Sequence, residues 1–136
     1  MGSMAVMFGG LARAALDEGI KYARQRIQGG VPIFEHKNIK LKLFEMFMMT
    51  ESARSLARRL QLYNSLSGSA SMLHTMAGKW LCTEAAFKVA SEAIQIFGGN
   101  GLSREYVIEK IFRDARAAMI EDGVNETLAL GVVDEL

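Results

Sequence analysis

Along most of the chain apolar residues recur every three or four positions, the spacing that lays a stripe down a helix rather than a face along a strand. The clearest run is Ile39, Leu43, Met46, Thr50, Ala53, Ala57 and Leu60, apolar or small residues stepping by alternating four and three. Such a seam suits an antiparallel bundle. Cys82, Ala85, Val89, Ala93 and Ile96 mark a second stripe, strand-like alternation is scarce, and the only proline is Pro32. The pattern predicts an all-α fold.

The punctuation predicts the individual elements. A first helix runs from about Met4 to Arg26, broken at Gly29 and Gly30 and kept from continuing by Pro32. Asn38 is placed to cap the second helix, and the small polar run Asn64 to Ser71 reads as a turn. A third helix reaches about Phe97. Ser103 then caps a short fourth helix with Arg104 to Tyr106 in its first turn. A further helical piece around "RDARAAMI" leads into the amphipathic "NETLALGVVDEL". Two long helices flanked by others predict an up-down four-helix bundle with a short extra C-terminal helix.

At 136 residues the chain suits one domain, residues 4–136, with "MGS" before a second methionine reading as an expression remnant. Half the residues are hydrophobic and 23% are charged, a globular rather than disordered balance. A net charge of +1, with both signs interspersed, leaves no footprint for nucleic acid or an anionic membrane. No apolar run approaches the roughly 20 residues of a membrane span, and the N-terminus lacks the pattern of a signal peptide. The single cysteine, Cys82, excludes an internal disulfide and fits a reducing compartment, cytoplasm or organelle matrix.

Candidate chemistry is sparse. His36, His74 and Cys82 are too few and too scattered for a metal site; the histidines read as solvated or hydrogen-bonded, the cysteine as core. "QIFGGNG", Gln95 to Gly101, is neither a P-loop nor a dinucleotide fingerprint, because no Gly-Lys-Ser/Thr follows and no strand precedes. Two readings stay open for its glycines: a helix end and turn, which needs one at most, or bare amides offered to a ligand such as a pyrophosphate.

From Met4 onward the chain closely resembles the C-terminal helical domain of the flavin-dependent acyl-CoA dehydrogenases. The resemblance lies in Gln95 to Gly101, Glu105-Tyr106-Val107-Ile108-Glu109-Lys110, Arg113-Asp114-Ala115 and Glu121-Asp122-Gly123-Val124, and upstream in "ALDEGIKYARQR" and "PIFEHKNIKLKL". It implies a fragment of a larger flavoenzyme that removes hydrogen across the α,β bond of an acyl-CoA thioester. Such an enzyme uses FAD, an electron acceptor and homo-oligomeric assembly as a dimer or tetramer. The fragment alone is expected to be inactive and to keep no flavin. The resemblance further implies that Gln95, Ile96, Phe97, Gly98 and Gly99 meet the FAD of a neighbouring subunit near its diphosphate. Arg26 would meet the same moiety; the bland alternative is a solvated cation at a helix end.

The sequence departs from the family at several places. Asp122 stands where the family's catalytic glutamate does, one methylene shorter; Glu121, Glu18, a residue upstream or no base at all are the alternatives, as is Asp122 acting merely as a helix cap. Gly29 replaces a phenylalanine. At cofactor-facing positions Lys37, Val124 and Glu126 replace glutamine, threonine and glutamine: the first adds charge toward a diphosphate, the second loses a hydroxyl, and the third is unfavourable unless it points away. Arg113 and Asp114, adjacent on a helix, are expected to pair elsewhere and to be structural. The altered loop motivates a rival reading, a non-catalytic helical oligomerisation module derived from the same family.

Overall fold

The stripes become three long helices: α1 (Gly2–Gln25), α2 (Lys37–Ser67) and α3 (Met72–Phe97). A shorter α4 (Val107–Ala118) completes an up-down four-helix bundle, and α5 (Asn125–Leu130) is the short extra helix at the C-terminal end. The computed structural model describes residues 2–136. Of the three residues read as an expression remnant, Met1 lies outside that range, while Gly2 and Ser3 belong to the first turn of α1.

The chain packs this way because its stripes are built mainly of alanine. α3 lies against α1, α2, α4 and α5. It offers Ala85, Ala86, Ala90 and Ala93, facing Ala5, Ala12, Ala15 and Ala23 in the same core cluster from α1. Alanine is the best helix former, and its short side chain lets helix axes approach closely. A few large side chains, Phe8, Leu16, Met46, Val89 and Phe97, fill the space that remains. Six of the seven α2 seam residues are buried and Ile39 packs half-buried at the edge. Thr50 sits in that apolar seam without loss, since its hydroxyl donates to the Met46 carbonyl at 2.8 Å.

Several boundaries differ from expectation. The "QGGVP" stretch is a tight hairpin as well as a helix stop. Ile27–Gln28 pairs antiparallel with Val31–Pro32 across Gly29 and Gly30, whose φ values of 66° and 81° are those a two-residue turn of this hand requires. Asn38 does not cap α2: the cap position is His36, whose imidazole is instead bonded to the Gln28 carbonyl at 3.0 Å. α2 runs through Asn64 to Ser67 and ends at Gly68 in the left-handed conformation, so the turn is shorter than its composition suggests. Ser103 accepts from the Glu105 amide in a turn, and the fourth helix begins only at Val107 and runs unbroken through "RDARAA". Arg113 pairs with Glu109, and Lys110 with Asp114, each four residues apart on the exposed side of α4. Such pairs contribute about 0.3–0.5 kcal/mol, a structural role.

His74 faces Ser71, whose hydroxyl also caps α3. Cys82 is fully buried, and burial pushes its thiol up to about 11. The folded chain is therefore expected to resist iodoacetamide at pH 8 and to react on unfolding; alkylation at a free-thiol rate under native conditions would contradict the packing. Among the described residues, no helix is long and apolar enough to cross a membrane.

Candidate functional site

Where α1 ends and α3 gives way to a 3-10 turn (Gly98–Leu102), an open cavity of about 530 Å³ lies between the hairpin, the start of α2 and the glycine run. Its floor is aromatic. Tyr22 stacks on Phe97 with ring centroids 4.0 Å apart, and Tyr106 meets both edge-on. Asn100 donates to the Tyr22 hydroxyl at 3.0 Å, tying the turn to α1. Of the predicted cofactor residues, Arg26, Gln95, Ile96, Phe97, Gly98 and Gly99 all line this cavity. The Phe97 ring is spent on its aromatic neighbours and only 5% of the residue is exposed. Among the described residues Arg26 forms no ion pair, and Arg24, stacked 5.0 Å over Phe34, already supplies a cation in the last turn of α1.

The three glycines have three different reasons. Gly98 has φ 62° and ψ −143°, a region open to glycine almost alone, and it closes α3 by donating to the Gln95 carbonyl. At Gly101 a Cβ would lie 2.9 Å from the Ile94 carbonyl oxygen and 3.0 Å from the Phe97 Cβ, so packing inside the chain forbids it. The turn therefore needs two glycines, not the single one the sequence reading allowed. Gly99 has neither constraint: its φ is not in the left-handed range and nothing lies within 4 Å of an added Cβ. No contact within the chain accounts for it.

Lys37, Val124 and Glu126 are not among the residues lining the cavity. Lys37 is the exposed first residue of α2, Val124 belongs with Asp122 to the segment between α4 and α5, and Glu126 lies in the first turn of α5. There Asp122 is exposed with φ 53°, and Gly123 follows at φ 107°. Asp122 does not cap α5: the cap position is Val124, with no side-chain cap bond. Glu121 is exposed, its amide bonded to the Ala117 carbonyl at 2.9 Å, and Glu18 lies half-buried on α1.

Beneath this loop sits a residue the sequence reading missed. Lys79 of α3 is only 1% exposed, and its Nζ donates to the Gly123 carbonyl at 2.5 Å. Desolvation lowers its pKa, opposed by the carboxylates of Asp122, Glu121 and Glu126. The signal was available, since Lys79 falls three residues before Cys82 on the buried α3 stripe. Tyr22, four residues before Arg26 at the end of α1, was equally legible as its neighbour, and so was Asn100 beside Gly99; His36 was not, because only the hairpin fold carries it to the cavity.

The sequence profile of the acyl-CoA dehydrogenase C-terminal domain matches residues 2–136, the described chain from end to end. This chain belongs to the acyl-CoA dehydrogenase family. The short-chain specific acyl-CoA dehydrogenase of Megasphaera elsdenii is 36% identical over 117 residues, 86% of this chain and 30% of that protein. An acyl-CoA dehydrogenase of Bacillus subtilis is 37% identical over the same length, 86% of this chain and 31% of its own. The structure of butyryl-CoA dehydrogenase from Megasphaera elsdenii superimposes with a TM-score of 0.90 at 32% identity, covering 97% of this chain and 35% of that one. The chain thus spans about a third of the length of the acyl-CoA dehydrogenases it matches.

Proposed function

We propose that this chain works as the C-terminal domain of a larger FAD-dependent acyl-CoA dehydrogenase, forming part of the cofactor site and carrying the loop that takes the substrate proton. The observation that carries the reading is Gly99, bare toward open space at the mouth of a cavity of about 530 Å³. The fit to a diphosphate is physical. Glycines without Cβ atoms let a phosphate come close to backbone donors, and the unpaired guanidinium of Arg26 lines the same wall. FAD, when bound, would supply the capacity to accept a hydride. The chain's own part is to bind and orient through Arg26 and the Gln95–Gly99 backbone. Asp122 then offers a carboxylate to the α-proton of an acyl-CoA thioester.

Lys37, Val124 and Glu126 we assign to the periphery of that site, completed by surfaces outside this chain. A second copy and an electron acceptor belong to the same reading. Phe44, Phe47, Met48, Leu62 and Leu66 stand exposed along α2, an apolar surface suited to assembly into a dimer or tetramer. The cytoplasm, or an organelle matrix in a eukaryote, is the compartment we infer from the single unpaired cysteine.

The cradle is testable on this chain alone. Titrating millimolar ADP into the isotopically labelled chain is expected to move the amide resonances of Gln95 to Gly99 and of Arg26. Gly99→Ala should weaken that response about tenfold, the loss of one charge-assisted bond. Shifts scattered elsewhere, or none, would overturn the cradle. For the chemistry, a chimera in which this chain replaces the matching region of the Megasphaera elsdenii dehydrogenase is assayed by flavin content and dye reduction with butyryl-CoA. A chimera that binds FAD but never reduces the dye would favour the oligomerisation-module reading, which the altered "EDGV" loop motivates.

A further inference from the structure

We propose that Lys79 is a positioning residue for the Asp122 loop: from inside the bundle its amine holds the Gly123 carbonyl, and so sets where the adjoining Asp122 carboxylate stands. The consequence for chemistry rests on reading Asp122 as the base; the clamp itself does not.

A lysine buried to 1% exposure is costly to desolvate, and an apolar bundle stripe would accept leucine or methionine there. Its compensation comes from one place. The Nζ donates to the Gly123 carbonyl at 2.5 Å, and the carboxylates of Asp122, Glu121 and Glu126 favour its charged form. Four residues further along α3, on the same face, Thr83 accepts from the Asn125 side-chain amide at 2.9 Å. Asn125 is 2% exposed, and its backbone amide closes the loop onto the Met119 carbonyl at 3.3 Å. One helix therefore grips the loop at Gly123 and at Asn125.

The loop needs holding. Asp122 stands at φ 53°, a left-handed conformation that costs a non-glycine residue free energy and needs its surroundings to hold it, while Gly123 takes its φ of 107° without that cost. A Cβ at Gly123 would sit 2.9 Å from Leu128, so the segment also lies tight on α5. A base must hold its place to within about 0.5 Å, and a misplacement of about 1 Å costs on the order of a hundredfold in rate. The clamp meets that need one residue from the carboxylate.

The test compares Lys79→Met, which keeps the volume, with Lys79→Arg, which keeps a cationic donor. The readout is amide exchange at Asn125 and Leu128, referenced to the core amides of Ala86, Val89 and Ala90. Lys79→Met is expected to speed loop exchange at least tenfold beyond any change in the core, and Lys79→Arg to restore a clear part of the protection. A residue that merely fills space predicts the reverse order. Loop exchange within twofold of the native chain in Lys79→Met, or no advantage for Lys79→Arg, overturns the proposal.

Should Lys79→Met fail to fold, the native chain decides by reductive methylation. Lys79 is expected to react far more slowly than the exposed Lys21 and Lys110, at the rate at which the Asn125 amide opens. Reaction as fast as the exposed lysines, or only in step with the core, overturns the clamp. In the chimera, Lys79→Met should lower kcat tenfold or more with KM within threefold. An inactive chimera with an intact clamp would refute the base assignment alone. An active chimera whose loop exchanges freely would refute the clamp alone.

Discussion

Asp122→Asn is expected to lower dye reduction by the chimera about a thousandfold while leaving its flavin content unchanged, within the range that loss of a general base removes. The substitution is well suited to the question. Asp122 has φ 53°, and asparagine is among the few side chains that share aspartate's tolerance of that conformation, so the loop keeps its shape and only the charge goes. The same angle suits a short side chain able to bond its own backbone better than a longer one, which fits an aspartate where the resemblance implies a glutamate. Glu121→Gln is the discriminating partner, one residue earlier in the same loop. A loss confined to Glu121→Gln would move the base to that position, and loss in neither would leave Glu18, a residue upstream or no base at all.

The second large effect is on stability, and it separates the three glycines. Gly101→Ala is expected to cost about 2–3 kcal/mol, because its Cβ would press on the Ile94 carbonyl oxygen and Cα, backbone that cannot swing aside. Gly98→Ala should cost about 1–3 kcal/mol through its φ of 62° and ψ of −143° alone, since space around it is open. Gly99→Ala should change stability by less than about 0.5 kcal/mol, as surface changes away from special features do, while weakening ADP binding. Urea unfolding followed by circular dichroism reads all three. A Gly99→Ala variant as unstable as Gly101→Ala would return that glycine to a purely structural role and remove the main support for the cradle.

Most of the frame was legible because its signals are local. The α2 seam from Leu43 to Leu60 and the α3 stripe from Cys82 to Ile96 need only a period close to 3.6 to be read, and both are buried as the period requires. Errors gathered where a side chain had two competing uses. Asn38 looked like the cap of α2, whereas that position is His36 with its imidazole drawn to Gln28, and Ser103 looked like a helix start, whereas Tyr106 meets Phe97 edge-on and the helix begins only at Val107. The family was likewise legible, through motif spacing along nearly the whole chain.

By itself, then, the chain's pattern determined that helices form, which faces they bury, how they are ordered and which family they belong to, since each rests on residues near one another in sequence. Tertiary structure alone decided why each glycine is there, because a missing Cβ has meaning only against what surrounds it. It alone also tied Asn100 to the Tyr22 hydroxyl, and set Lys79 beneath Gly123, 44 residues further on. Contacts across such separations follow from how helices dock, and no local period encodes which side chains will then meet.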